Sequence, residues 1–111
     1  MQQKQITITS NTESHGFIYL LTNQTFPNAI KIGQTTRLPG CRMAELSNTS
    51  VPLPFNLSYC RFVEKDLTVI EALIHRKLAK YRINDSREFF ALELHDAIQK
   101  VDQIIDQHFS L

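Results

Sequence analysis

At 111 residues and 42% hydrophobic content, the chain suits one compact domain and is too short for two ordinary ones. No apolar run approaches the length of a membrane span, and the polar start MQQKQITITSNTESHG lacks the apolar stretch of a signal peptide, so cytoplasmic residence is expected. The formal charge of +1 conceals an asymmetry: Lys31 to Arg87 holds ten Lys/Arg against five Asp/Glu, whereas Glu93 to Leu111 holds four acids and one lysine. A basic face toward a polyanion with an acidic closing segment turned away fits this pattern, as do ordinary solvated faces. Cys41 and Cys60 lack both a disulfide framework and the paired spacing of a zinc site, and read as free thiols.

Residues 1–14 read as a flexible leader, with ITIT at most a short edge strand, and residues 15–111 as the folded domain. GFIYLLTN, from Gly16, is apolar and β-prone and runs into the turn-like NQTFPN. AIKIG, Ala29 to Gly33, is a second strand able to pair with the first as a hairpin. After the turn TTRLPG, CRMAELSN from Cys41 to Asn48 reads as a short helix, and VPLP breaks the chain. FNLSYCRFV alternates as a strand with Phe55, Leu57 and Tyr59 on one side and Asn56 and Ser58 on the other. Asp66 is placed to cap a helix from Leu67 to about Tyr81, whose apolar face is Leu67, Ile70, Ile74, Leu78 and Tyr81. REFFAL, Arg87 to Leu92, is a short extended piece. A final helix from about His95 to His108 buries Ile98, Val101, Ile104 and Ile105. The expected fold class is α+β, a small antiparallel β-sheet flanked by helices in a single domain.

On the helix beginning at Leu67, Glu71, His75 and Arg82 project within roughly 40° of one another at about 100° per residue. A carboxylate, an imidazole and a guanidinium then line the seam beside the apolar stripe, where a cleft would form.

Five pieces of the chain, FIY (Phe17 to Tyr19), KIGQTT (Lys31 to Thr36), RMAELSN (Arg42 to Asn48), IEALIH (Ile70 to His75) and REFF (Arg87 to Phe90), occur in an order and at spacings that resemble the GIY-YIG endonuclease superfamily. The match is to its phage-associated branch with K-I-G in place of Y-I-G, and spans about residues 16 to 92. The resemblance implies a small antiparallel sheet flanked by helices, and metal-dependent hydrolysis of DNA phosphodiester bonds.

That chemistry needs an activated water, a cation on the nonbridging oxygens and neutralisation of the leaving group. By the resemblance, Glu71 would anchor Mg²⁺ or Mn²⁺, Arg42 would clamp the phosphate bidentately, and Tyr19 would hold or deprotonate the attacking water. Lys31 stands where the second motif has tyrosine and is a candidate for phosphate contact or for lowering the Tyr19 pKa. Leu46 stands where many members carry a histidine, which makes His75, one turn after Glu71, a candidate proton carrier. Asn84 lies where the family's late asparagine is expected. Lys31, Arg37, Arg42, Arg82 and Arg87 are the candidate DNA contacts.

Three functional readings stand beside one another. The first is a DNA endonuclease, acting alone, as a homodimer or with a larger DNA-processing partner. The second is a nucleic-acid-binding module that keeps the fold without catalysis. The third is a protein-interaction domain docking through its acidic last helix. Each candidate residue also has an ordinary structural role: Tyr19 as a core aromatic, Lys31 as an edge-strand charge, Arg42 with Glu45 and Glu71 with His75 as surface pairs.

Overall fold

The computed structural model describes residues 14–38, 55–83 and 88–110. In chain order its elements are β1 (Gly16–Thr22), β2 (Ile30–Thr35), β3 (Asn56–Val63), α1 (Leu67–Lys77), a 3₁₀ turn (Ala79–Tyr81), β4 (Phe89–Phe90) and α2 (Leu94–Phe109). The expected helix at Cys41–Asn48, the leader, Arg42, Asn84 and Arg87 lie outside the described residues. The four strands form one antiparallel sheet in the order β3-β1-β2-β4, and with the two helices they make the α+β domain that the sequence implies.

Alternation along the strands gives the sheet two different faces. Ile18 and Leu20 of β1 with Ile30 and Ile32 of β2 face the helices, where they close a core with Leu67, Ile70 and Ile74 of α1 and Ala97, Val101, Ile104 and Ile105 of α2. The opposite face carries Tyr19 and Leu21, packed with Phe55, Leu57 and Phe89. Burial of each such aliphatic side chain is worth about 1.5–3 kcal/mol, so the helix face holds most of the apolar stabilisation.

The simple alternation read for β3 does not hold. Leu20 pairs with Tyr59 but Leu21 pairs with Leu57, which leaves Ser58 as an extra residue in a β-bulge. The bulge reverses the side-chain parity: Phe55 and Leu57 join the Tyr19 face, while Tyr59 turns to the helices. The Ser58 hydroxyl is bonded to Thr22 Oγ1 at 2.9 Å.

Asp66 occupies the expected N-cap position without a side-chain capping bond. It sits at φ 63°, a left-handed conformation that aspartate tolerates, and its carbonyl accepts the Ile70 N–H at 2.8 Å. Its carboxylate instead meets His108 Nε2 at 3.2 Å, joining the start of α1 to the end of α2. The Leu67 N–H is taken by the Ser14 carbonyl at 3.1 Å, so the residues entering β1 cap the helix.

Helix α1 also ends four residues before the expected Tyr81. Leu78 departs from helical geometry, the 3₁₀ turn follows, and Arg82 is extended and bridged to Phe90. Arg82 therefore does not project from the same helical stripe as Glu71 and His75. Against α2, Tyr59 donates to Asp102 at 2.6 Å, and Arg61 pairs with Asp102 at 3.0 Å and Asp106 at 2.6 Å. Among the described residues no helix is long and apolar enough to cross a membrane.

Candidate active site

The glycines of the two strand motifs are both fixed by close approach. A Cβ on Gly16 would run into the Thr35 carbonyl oxygen and come within 2.7 Å of Leu67 Cδ2. A Cβ on Gly33 would lie 2.5 Å from the Tyr19 hydroxyl oxygen and 2.6 Å from its Cζ. Tyr19 and Gly33 are partners in the β1–β2 register, so the buried phenol lies across β2 and its hydroxyl reaches toward that strand's far side. There β4 pairs only with Ile30 and Lys31, and the Ile32 N–H to Glu88 carbonyl bond extends the contact by one residue. The hydroxyl thus arrives at the stretch of β2 beyond the reach of β4.

From the other face of the sheet, α1 brings Glu71 to the same stretch. Gln34, adjacent to Gly33 but turned toward the helix, donates from Nε2 to Glu71 Oε1 at 3.0 Å. Thr68, one turn earlier on α1, donates to Gln34 Oε1 at 3.5 Å, a marginal hydrogen bond. His75, one turn later, is bonded through Nε2 to the Ile32 carbonyl at 2.9 Å and lies against the Phe90 ring at 5.2 Å. Glu71 and His75 are therefore both docked on β2, which fixes the register of α1 against the strand.

Glu71 is half-buried, and burial raises its carboxyl above the ordinary carboxylate value. The charge of Glu88 pushes the same way, while His75, the Gln34 hydrogen bond and Lys31 pull it back. Lys31 joins this group through an ion pair to Glu88 at 2.9 Å, with its ammonium 5.5 Å above the Phe89 ring. Its side chain is only 11% exposed against 42% for Glu88, so the lysine is the enclosed member of the pair.

The structure therefore gathers Tyr19, Lys31, Glu71 and His75 around residues 31–34 of β2. Arg37 follows β2 and is exposed, its N–H bonded to Thr35 Oγ1. Arg82 lies over the Phe90 ring at 5.6 Å, and its Nε is buried with no hydrogen-bond partner among the described residues. Arg42 and Arg87 are outside the described residues. Gln34 and Glu88 belong to the same group and were missed from the sequence. For Gln34 the signal existed, because strand parity turns it toward the helix face, where an amide requires a partner. Glu88 has no such pattern.

Among the described residues, no three His, Cys, Asp or Glu side chains converge as a metal-binding group. A cleft of 320 Å³ lies between Arg61, Phe62, Ile105 and Phe109, and one of 430 Å³ between the β1–β2 turn and the start of α2. Neither includes Tyr19, Lys31 or Glu71. Tyr19 is buried, Lys31 enclosed, and Glu71 and His75 half-buried, so the group sits at the margin of the core and outside both clefts.

A family model, the T5orf172 domain, matches residues 16–106, from the glycine of β1 to Asp106 in α2. The chain belongs to the T5orf172 domain family. This is a phage-associated domain in the context of GIY-YIG-like and HNH nucleases. The matched span includes β1, β2, α1 and β4, and with them every described residue of the candidate site. No curated protein matches the chain significantly, and no solved structure does.

Proposed function

We propose that this T5orf172 domain is a metal-dependent DNA endonuclease of the GIY-YIG type, with its active site at residues 31–34 of β2. One observation carries the reading: Tyr19, from one face of the sheet, and Glu71, from the other, reach the same short stretch of strand beside an enclosed lysine. Core packing alone does not require a phenol, a carboxylate and an ammonium at one strand edge.

The residues fit a hard divalent cation. Glu71 offers a half-buried carboxylate whose charge is opposed by desolvation and by Glu88, an opposition that a bound cation would relieve. A single protein carboxylate suits Mg²⁺, which retains several of its own waters. Bound there, the metal would supply charge stabilisation on the phosphate oxygens. Gln34 orients the Glu71 carboxylate through Oε1. Tyr19 holds the attacking water at its hydroxyl, and the close fit over Gly33 limits how far the phenol can move. Lys31 neutralises charge developing on the phosphate, with Glu88 holding its ammonium in place until substrate arrives. His75, committed through Nε2 to the Ile32 carbonyl, keeps α1 seated on β2 and leaves Nδ1 for proton transfer. Arg42 is assigned the phosphate clamp by the resemblance.

The direct test is cleavage of supercoiled plasmid by the purified chain with Mg²⁺, with Mn²⁺ and with EDTA. Nicking with either metal and none with EDTA supports the enzyme; no nicking under any condition rejects it. A second reading, a DNA-binding module without catalysis, draws on the Lys31–Glu88 ion pair, which occupies the lysine's charge in the free protein. It predicts salt-sensitive DNA binding with no cleavage.

A further inference from the structure

The exposed flank of α1 carries charge that the catalytic reading leaves unused. The twelve residues from Ala72 to Ile83 include Arg76, Lys77, Lys80 and Arg82 and no acid. Arg76, Lys77 and Lys80 are exposed and make no ion pair among the described residues. The patch also spans three elements. Lys80, in the 3₁₀ turn, and Lys100, in α2, place their ammonium groups 5.2 and 5.8 Å from the ring centre of Tyr81. Two of the three α2 acids, Asp102 and Asp106, are engaged by Arg61, and the third, Asp96, stands one turn before Lys100.

Helix polarity explains part of this. Cations in a last turn complement the partial negative charge of the helix C-terminus, which accounts for Arg76 and Lys77. It does not account for Lys80 beyond the helix end or Lys100 on another helix. Like charges grouped in excess of the acids near them raise the local potential and are retained at a cost to stability, so their grouping points to an anionic partner.

Arg76 joins the patch to the candidate site, while Lys77, about 100° further round the helix, lies across the buried stripe from Glu71. Thr68, Ala72 and Arg76 are spaced four apart and form one stripe of α1, and Thr68 contacts the same Gln34 that holds Glu71. Ala72, midway, leaves room for a backbone to approach.

We propose that this surface is the track along which a DNA duplex lies, its phosphates running from Lys80, Lys100 and Lys77 across the exposed face of α1 over Arg76 and Ala72 to the candidate site. The proposal rests on the endonuclease reading and adds the surface that positions the substrate.

The test is fluorescence anisotropy of a labelled DNA duplex with the full chain over a NaCl series. It compares wild type, the triple variant Arg76→Ala/Lys77→Ala/Lys80→Ala, and Lys65→Ala, a cation at the cleft below β3. All the substituted side chains are exposed, and matching thermal melts verify folding. Each lost phosphate contact removes about 0.9 from the slope of log K against log salt. The triple variant is expected to be shallower by about 2 to 3, with Lys65→Ala keeping the wild-type slope. Wild-type binding with an unchanged slope in the triple variant overturns the track while leaving the catalytic reading intact. A wild-type chain with no measurable duplex binding overturns both.

Discussion

The phenol of Tyr19 occupies the space that a side chain on Gly33 would need. The two residues pair across β1 and β2, and an added Cβ would sit 2.5 Å from the phenolic oxygen. Two motif residues separated along the chain are thereby one physical unit. Gly33→Ala must displace the ring or bend the strand, and overpacking of this kind costs about 1–3 kcal/mol. The variant is expected to show that loss in denaturant unfolding and to cleave DNA more slowly, because the hydroxyl moves. Wild-type stability and activity in Gly33→Ala would contradict the close fit.

Lys31 separates catalytic from structural roles. Lys31→Met keeps the enclosed stem, and the ion pair to the partly exposed Glu88 contributes no more than about 1 kcal/mol, so this variant is expected to leave stability nearly unchanged. If the ammonium stabilises developing phosphate charge, cleavage falls by about 10²-fold or more, as for loss of a preorganised donor. Unchanged cleavage would remove Lys31 from the mechanism.

Glu71 is expected to act against stability. Its carboxyl has a raised value in the folded chain, so the folded state retains a proton that the unfolded state has released. Stability therefore falls as pH rises from the ordinary carboxylate value through the raised one. Glu71→Gln keeps an Oε1 acceptor for Gln34 without the charge, and should melt higher than wild type at neutral pH. The difference should vanish below the ordinary carboxylate range. An equal or lower melting temperature at neutral pH would show that burial of the charge is already compensated.

Tyr59 gives an independent check on how β3 joins α2. Burial, and then its hydrogen bond to Asp102, raise its pKa to about 12. The contribution of the protonated phenol is fully present below pH 10 and is lost as pH rises toward 12. Tyr59 should contribute a late step to an ultraviolet titration of the folded chain, and Tyr59→Phe should remove that contribution. The same variant should lose about 1–2 kcal/mol at neutral pH, the usual worth of a hydrogen bond to a charged group that is partly exposed.

The fold was legible where the local pattern of apolar residues decides the element. Apolar runs ending in turns set β1 and β2, alternation after the VPLP break set the place of β3, and the spacing of Ile70, Ile74 and Leu78 set the buried side of α1. Two features were not legible. The bulge at Ser58 depends on register against β1, and nothing local in NLSYC signals the reversal of parity. The end of α1 at Lys77 is a tertiary effect, since LAKYR favours helix and Arg82 leaves that path to bridge Phe90. For the candidate site, Glu71 and Tyr19 were named through their motifs. Their meeting from opposite faces of the sheet, through Gln34 and Gly33, emerged only from the paired strands.

Cleavage by Glu71→Ala, assayed beside wild type on supercoiled plasmid with Mg²⁺ and with Mn²⁺, tests the central claim most directly when duplex binding is measured on the same samples. The proposed site predicts metal-dependent nicking by wild type, no nicking by Glu71→Ala, and retained DNA binding by the variant. Nicking at the wild-type rate by Glu71→Ala would contradict an active site built on Glu71 at the β2 edge.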